Sequence, residues 1–298
     1  MLRTDLRDPL SRDASAIERA SPTVPRLERA EGRLVLEVGL RDGRSALLVH
    51  RESGCAKARF PQPARPGVLE AVLLNTAGGI TGGDRIHQEL RVREGAALLA
   101  AGQAAEKIYR STGADAEVVT RLEVSRASAL FWLPQETILF DGARLVRELA
   151  VELSRDARLL LVEAVVLGRT ARGEEVLRGR LVDRRVLRVG GVPLFVDPLR
   201  LEGPIAELAR RPALLDGARA FATLLALGPA VDEHVCAALR DRLPDGPARA
   251  ACGLRGPLLL CRVLAADGLA LRRALLPALA FLLPLLGGPP ELPRIWRC

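Results

Sequence analysis

The sequence predicts a mainly β protein with a few α-helices in its C-terminal third. Three observations lead there. Short stretches in which apolar and polar residues alternate, each closed by a turn signal, recur at roughly ten-residue spacing over the first two thirds of the chain. Two glycine pairs, Gly78-Gly79 and Gly82-Gly83, sit between an apolar run (Ala71–Leu74) and an alternating one, so they join strand to strand. After Pro204 the spacing changes to that of helices, with acids early and arginines late in Val231–Leu243, as the helix dipole favours. Periodicity alone leaves a sandwich, a barrel or a helix-like stack of short strands open, and no sharp repeat length supports a regular solenoid.

Residues 1–25 are polar, charged and punctuated by proline, which reads as a flexible tail before one β-rich unit spanning 26–298. Leu34, Leu36, Val38 and Leu40 alternate as a strand, Asp42-Gly43 is a hairpin signal, and Ala46–Val49 returns. Ala56–Pro61 leads into a proline-rich loop at 61–66. Ile86, Leu90 and Val92 share one face of the strand after the glycines; Arg85, His87, Glu89, Arg91 and Arg93 share the other. Ala97–Ala101 follows, and Ala104–Tyr109 starts a helix or forms an irregular edge. Val118–Val124, Ala129–Leu133 and Leu145–Leu153 are further strands, and Gln135–Gly142 ends in a turn. Leu159–Leu167 is a near-continuous apolar run broken only by Glu163. Gly190-Gly191 joins two short strands as a hairpin loop. Leu258–Leu264 is a late strand, and Gly268–Leu286 is one helix or two divided at Pro277.

Composition narrows the function classes. At 298 residues and 49% apolar, the chain can bury a large core. Aromatics are only 3%, too few for stacking platforms on single-stranded nucleic acid. The formal charge of +8 comes almost wholly from arginine interleaved with acids, as in Arg93-Glu94 and Arg147-Glu148, which reads as a solvated mixed-charge surface without a nucleic-acid partner. Five cysteines with no Cys-x-x-Cys pair suggest reduced thiols. No signal peptide is visible, and the charge-free part of the most apolar segment is too short to span a bilayer, so a cytoplasmic protein with no membrane partner is expected.

The glycines are not a phosphate cradle, because a strand rather than a helix follows Asp84-Arg85 and no Gly-Lys-Ser/Thr is present. His50, His87 and His234 are far apart, so no fixed metal cage is written in sequence; His87 and Asp84 are at most weak metal candidates. No Gly-x-Ser-x-Gly elbow exists. Four carboxylates in apolar settings stand out: Asp84, Glu136, Asp141 and Glu163. Such groups are costly unless paired, hydrated or coordinating a cation. Either each caps a turn or pairs with an arginine, or together they line a polar passage for a divalent ion. Asp84, Glu136 and Asp141 could alternatively serve a metal-dependent hydrolase.

Several long segments then stand together in order: Leu73-Leu-Asn-Thr-Ala-Gly-Gly-Ile-Thr-Gly-Gly-Asp-Arg85, Gln103-Ala-Ala-Glu-Lys-Ile-Tyr-Arg-Ser111, Trp132-Leu-Pro-Gln-Glu-Thr-Ile-Leu-Phe-Asp-Gly-Ala-Arg144 and Leu292-Pro-Arg-Ile-Trp296. From about residue 30 to the end the chain resembles the urease accessory protein family UreD, also called UreH. The resemblance marks Asn75, Thr76, Gly78, Gly79, Thr81, Gly82, Gly83, Arg85, Gln103, Glu106, Lys107, Tyr109, Arg110 and Gln135 as family hallmarks. Two threonines that often precede the hallmark glutamine are replaced here by Ala101 and Gly102.

The resemblance implies a β-helix-like stack of short strands with late helices, and a non-catalytic maturation factor. Its expected partners are apo-urease, UreF and, through UreF, the GTPase UreG. The resemblance further implies no tightly bound cofactor and nickel as cargo in transit, with Asp84, Glu136, Asp141 and Glu163 as passage candidates.

Overall fold

The computed structural model describes residues 28–63, 65–169, 172–243, 246 and 248–297; the tail expected at 1–25 lies outside them. The chain opens with a hairpin of β1 (Glu31–Arg41) and β2 (Arg44–Gly54). Asp42 and Gly43 take φ of 50° and 71° at its turn, the double positive that a two-residue type I′ turn requires. After β3 (Ala56–Arg59) and β4 (Leu69–Asn75) the chain winds in rungs. The first rung is β5 (Arg85–Val92), β6 (Ala97–Gly102) and the short β7 (Glu106–Ile108); the second is β8 (Ala116–Val124), β9 (Ala129–Leu133) and β10 (Thr137–Leu139). A third follows as β11 (Arg144–Leu153) and β12 (Arg158–Leu167), and then the hairpin β13 (Gly179–Val189) and β14 (Val192–Gly203). The remainder is α1 (Ile205–Arg210), β15 (Ala220–Leu227), α2 (Glu233–Arg240), β16 (Ala248–Arg255), β17 (Leu258–Ala265), α3 (Gly268–Leu285) and α4 (Arg294–Arg297).

Among the described residues, seven strands form an outer sheet in the order β14-β13-β11-β8-β5-β1-β2. Ten form an inner sheet along β16-β17-β15-β12-β9-β6-β4-β3, with β10 beside β12 and β7. Successive rungs pair in parallel, giving the β-solenoid-like stack expected. The rungs are unequal: Arg85 pairs with Glu117, 32 positions on, Ala116 with Leu145, 29 on, and Arg144 with Arg180, 36 on. Unequal rungs, not the lack of a solenoid, are why no sharp repeat shows in the sequence.

One core lies between the sheets and another between the inner sheet and the helices. Leu90, Leu122 and Val151 face Leu98, Leu130 and Leu159 in the first. On the other side Leu99, Phe131 and Leu160 meet α3. That helix buries Leu271, Ala274, Leu275, Ala278, Leu279, Leu282 and Leu283, a continuous three-and-four stripe. It runs through Pro277 and Pro284 as one helix; each proline forfeits one backbone bond, and packing of the buried stripe offsets the loss. By length and composition α3 could cross a membrane, but here it packs on β12, β15, β16 and β17. Ala104–Tyr109 does not start a helix; it contains β7, paired with β10.

The charged residues divide by parity. Outward-facing arginines on the outer sheet pair across rungs with acids, as in Arg85 with Glu117, Arg91 with Glu123 and Arg184 with Glu148. Arg147 departs from the expected solvated surface, with a side chain only 10% exposed between the sheets.

Candidate functional site

The two sheets are stitched with leucine and valine along one half of the space between them. The other half is mixed, because polar and charged residues take some of the inward positions of the same strands beside Ile86, Val118 and Leu145. Register places Ile86, Val118, Arg147 and Asp183 in one row of the outer sheet, and Gln88, Thr120, Leu149 and Arg185 in the next. The inner sheet answers with Trp132 and with Glu163, whose row continues to Thr223 and Arg262. A cavity of about 280 Å³ opens there, lined among others by Asn75, Gly79, Gln103, Glu106, Gln135, Thr137, Arg147 and Glu163.

Glu163 is 7% exposed and fully engaged. Its Oε1 accepts from the Trp132 indole N–H at 2.8 Å, and its Oε2 lies 2.7 Å from Arg147 Nη1. Arg147 also forks onto Asp183, Nε to Oδ1 at 3.1 Å and Nη2 to Oδ2 at 2.6 Å, and donates from Nη1 to Thr137 Oγ1 at 3.0 Å. Asp183 is wholly buried and touches Arg185 at 3.1 Å; Arg185 pairs with Asp197, which pairs with Arg262. Charges therefore alternate from the cavity wall to the far edge of the sheets. Burial alone would raise the Asp183 carboxyl, but Arg147 and Arg185 outweigh it and hold it below the usual range. Burial works against the charge on Arg147 too, and Asp183 and Glu163 more than restore it.

Glu106, on β7, is the second carboxylate on the wall. Burial pushes it up to about 7; hydrogen bonds from Asn75 and the Lys107 backbone and the charge of Lys107 pull weakly the other way. Asn75 holds the loop behind it: Oδ1 accepts from Ala77 N at 2.9 Å, while Nδ2 donates to Glu106 Oε1 at 3.1 Å and to Gly79 O at 3.3 Å. Gly79 has φ 148°, and a Cβ there would overlap the Tyr109 ring, so only glycine lets the loop close on that side chain. Tyr109 Oη donates to Gly78 O, and Phe140 meets its ring edge-on.

The other predicted residues mostly build the frame. Thr76 donates to Cys55 O, and Thr81 to Arg110 O. A Cβ on Gly82 would overlap Ser111, and Gly83 turns the chain at φ 93°. Asp84 is buried, yet its Oδ1 accepts from Ala30 N and its Oδ2 from Thr81 N, both at 2.8 Å, making it a cap of the glycine turn. Arg85 belongs to the outer face, as does His87, which lines a second pocket with Arg33 and Arg121. Asp141 accepts from Leu177 N and Arg178 N and pairs with Arg110 at 2.5 Å. Glu136 pairs with Arg272, which also donates to Gln135 Oε1 at 2.7 Å and Ile295 O at 3.0 Å. With Trp296 Nε1 donating to Leu133 O, this clasps α3 and α4 to the stack.

Asp84, Glu136 and Asp141 therefore do not converge, which removes the basis for the hydrolase alternative: each is committed to backbone amides or an arginine, away from the cavity wall. Of the four passage candidates, Glu163 alone is on that wall, and Lys107 and Gln103 stand at its exposed rim. Among the described residues no three His, Cys, Asp or Glu side chains form a cluster able to cage a metal. Arg147, Asp183 and Arg185 were not anticipated. The signal was available: Arg147 shares the parity of Leu145, Leu149, Val151 and Leu153, so an inward strand puts it in the core.

The chain matches the profile of the UreD urease accessory protein family over residues 30–297. It is 45% identical over 284 residues to the urease accessory protein UreD of Chelativorans sp. (strain BNC1), covering 95% of this chain and 98% of that one. It is 42% identical over 274 residues to the protein of that name from Azorhizobium caulinodans, covering 91% and 98%. With the Brucella suis (strain ATCC 23445 / NCTC 10510) protein the identity is 40% over 274 residues, covering 91% and 95%.

Proposed function

The chain belongs to the UreD urease accessory protein family, and from that premise we propose that it carries nickel toward the urease active site through the cavity between its sheets. Its role lies in urease maturation rather than in catalysis. It works as a single unit from residue 26 to the end, in the cytoplasm, bound to apo-urease and to UreF. UreF in turn brings the GTPase UreG. Nickel is cargo, not a resident cofactor.

One observation supports this most: two acidic side chains, Glu106 and Glu163, stand in a cavity of otherwise largely apolar lining whose wall also carries Asn75, Gln103 and Gln135. Scattered oxygen donors suit a divalent ion that has to leave again, whereas imidazole and thiolate cages hold first-row metals tightly. Asp84, Glu136 and Asp141 serve this role by shaping the loops and the helix clasp around the cavity.

Co-expression of the urease structural subunits and the other accessory proteins, with and without this chain, tests the reading through urease activity and bound nickel together. Glu163→Gln and Glu106→Gln should lower nickel loading while the complex with urease still forms. Fully metallated urease in cells lacking the chain would refute the role in maturation; normal loading with both glutamines replaced would refute the route.

A further inference from the structure

We propose that Arg147 is a counter-ion lock on Glu163, holding that carboxylate closed to cations and yielding it when a divalent ion arrives. The proposal rests on the cavity being a cation route. The geometry gives Arg147 two unequal partners. Asp183 takes two of its nitrogens in a bidentate fork, 3.1 and 2.6 Å long. Glu163 has only Nη1, at 2.7 Å, and shares it with Thr137 Oγ1 at 3.0 Å. When Nη1 lets go of Glu163, the guanidinium keeps its fork and its threonine, so no buried cation is stranded.

Glu163 is equally prepared for the exchange. Its Oε1 stays oriented by the Trp132 indole at 2.8 Å, leaving Oε2 as the oxygen that changes partner. Asp183 cannot take its place: it is wholly buried, off the cavity wall, and held by Arg185 as well. A guanidinium that remains beside an ion on Glu163 repels it, which weakens the site and hastens release. Arg147 is thus a positioning residue that sets how long a cation stays, not a ligand.

Nickel binding to the full-length chain, measured by equilibrium dialysis, separates this from a purely structural role, because the lock demands effects of opposite sign. Arg147→Gln should tighten nickel binding by about tenfold, since Glu163 loses its competitor. Adding Glu163→Gln should cancel that gain. Asp183→Asn should instead weaken nickel binding, although residue 183 touches no cavity solvent, because a weaker fork returns Arg147 to Glu163. Unchanged affinity in Arg147→Gln, a gain that survives in the double variant, or tighter binding in Asp183→Asn would each overturn the lock. Should Arg147→Gln fail to fold, the isosteric Asp183→Asn and Glu163→Gln variants decide by themselves: both must bind nickel more weakly than the unaltered chain. Impaired urease loading by Glu163→Gln with these affinities unchanged would sink the lock and leave the route standing. Normal loading by Glu163→Gln would sink Glu163 as part of the route.

Discussion

The two halves of the space between the sheets are built from the same strands, with the same parity and register, and differ only in which side chains point inward. In one half Leu90, Leu122, Val151 and Leu187 align across β5, β8, β11 and β13 and close on Leu98, Leu130 and Leu159. A short way along the same strands, Val118, Arg147 and Asp183 occupy one row and Thr120, Leu149 and Arg185 the next. The leucine half fills its volume and each fully buried leucine contributes about 2 kcal/mol. The polar half keeps a cavity and buries ions that cost several kcal/mol each unless compensated. A solenoid supplies a uniform frame, so a site is made by changing inward residues in a few rungs while the backbone stays regular.

That contrast can be broken at either half. The largest effect is expected from Asp183→Ala, which removes the wholly buried anion that Arg147 and Arg185 share and leaves them only the anions Glu163 and Asp197. Removing one partner from such a pair costs about 3–5 kcal/mol, read from urea unfolding of the purified chain. If the loss is under about 1 kcal/mol, water reaches Arg147 and screens its charge. Leu122→Ala, wholly buried in the leucine half, should cost about 3 kcal/mol through lost burial and the cavity left behind. At a temperature where it stays folded, nickel loading of urease should be unchanged. A loading defect there would mean that the two halves act as one site.

The sequence made the leucine half easier to read than the polar one, and for a physical reason. Alternation reveals a strand whose faces differ, so β5, β8 and β11 were clear. β15, Ala-Phe-Ala-Thr-Leu-Leu-Ala-Leu, is buried on both faces and shows no alternation, and β7 and β10, at three residues each, are too short to show any. Arg147-Glu148 looked like one more surface pair, yet the two side chains point to opposite sides of the sheet. Glu163 was visible because it interrupts an apolar run. Asp84 was buried for the sake of two backbone amides 54 and 3 positions away, and the longer of those contacts has no local signature. Of the hallmark residues, Asn75, Gln103, Glu106 and Gln135 line the cavity, whereas Thr76, Thr81 and Arg85 do not; the parity of Arg147 is what betrays its inward charge.

The smallest expected effect is the one that depends on pH. Glu106 sits at about 7 in the folded chain against an ordinary value of 4.5, because burial disfavours its ionised form. Below pH 4.5 it is neutral folded and unfolded, and the folded state bears no penalty. As pH rises from there to about 7 the unfolded chain ionises first, so stability falls; above 7 both states are ionised and the cost stays constant. Glu106→Gln removes that cost while its amide oxygen can still accept from Asn75. The variant should therefore match the unaltered chain near pH 4.5 and exceed it by about 2 kcal/mol at pH 8, a figure reduced for the partial exposure of the side chain. Melting curves across that range check it: the gap has to open between pH 4.5 and 7. A gap of constant size at every pH would mean that Glu106 is ionised throughout, and that the polar half carries two permanent negative charges rather than one and a proton that an arriving cation must displace.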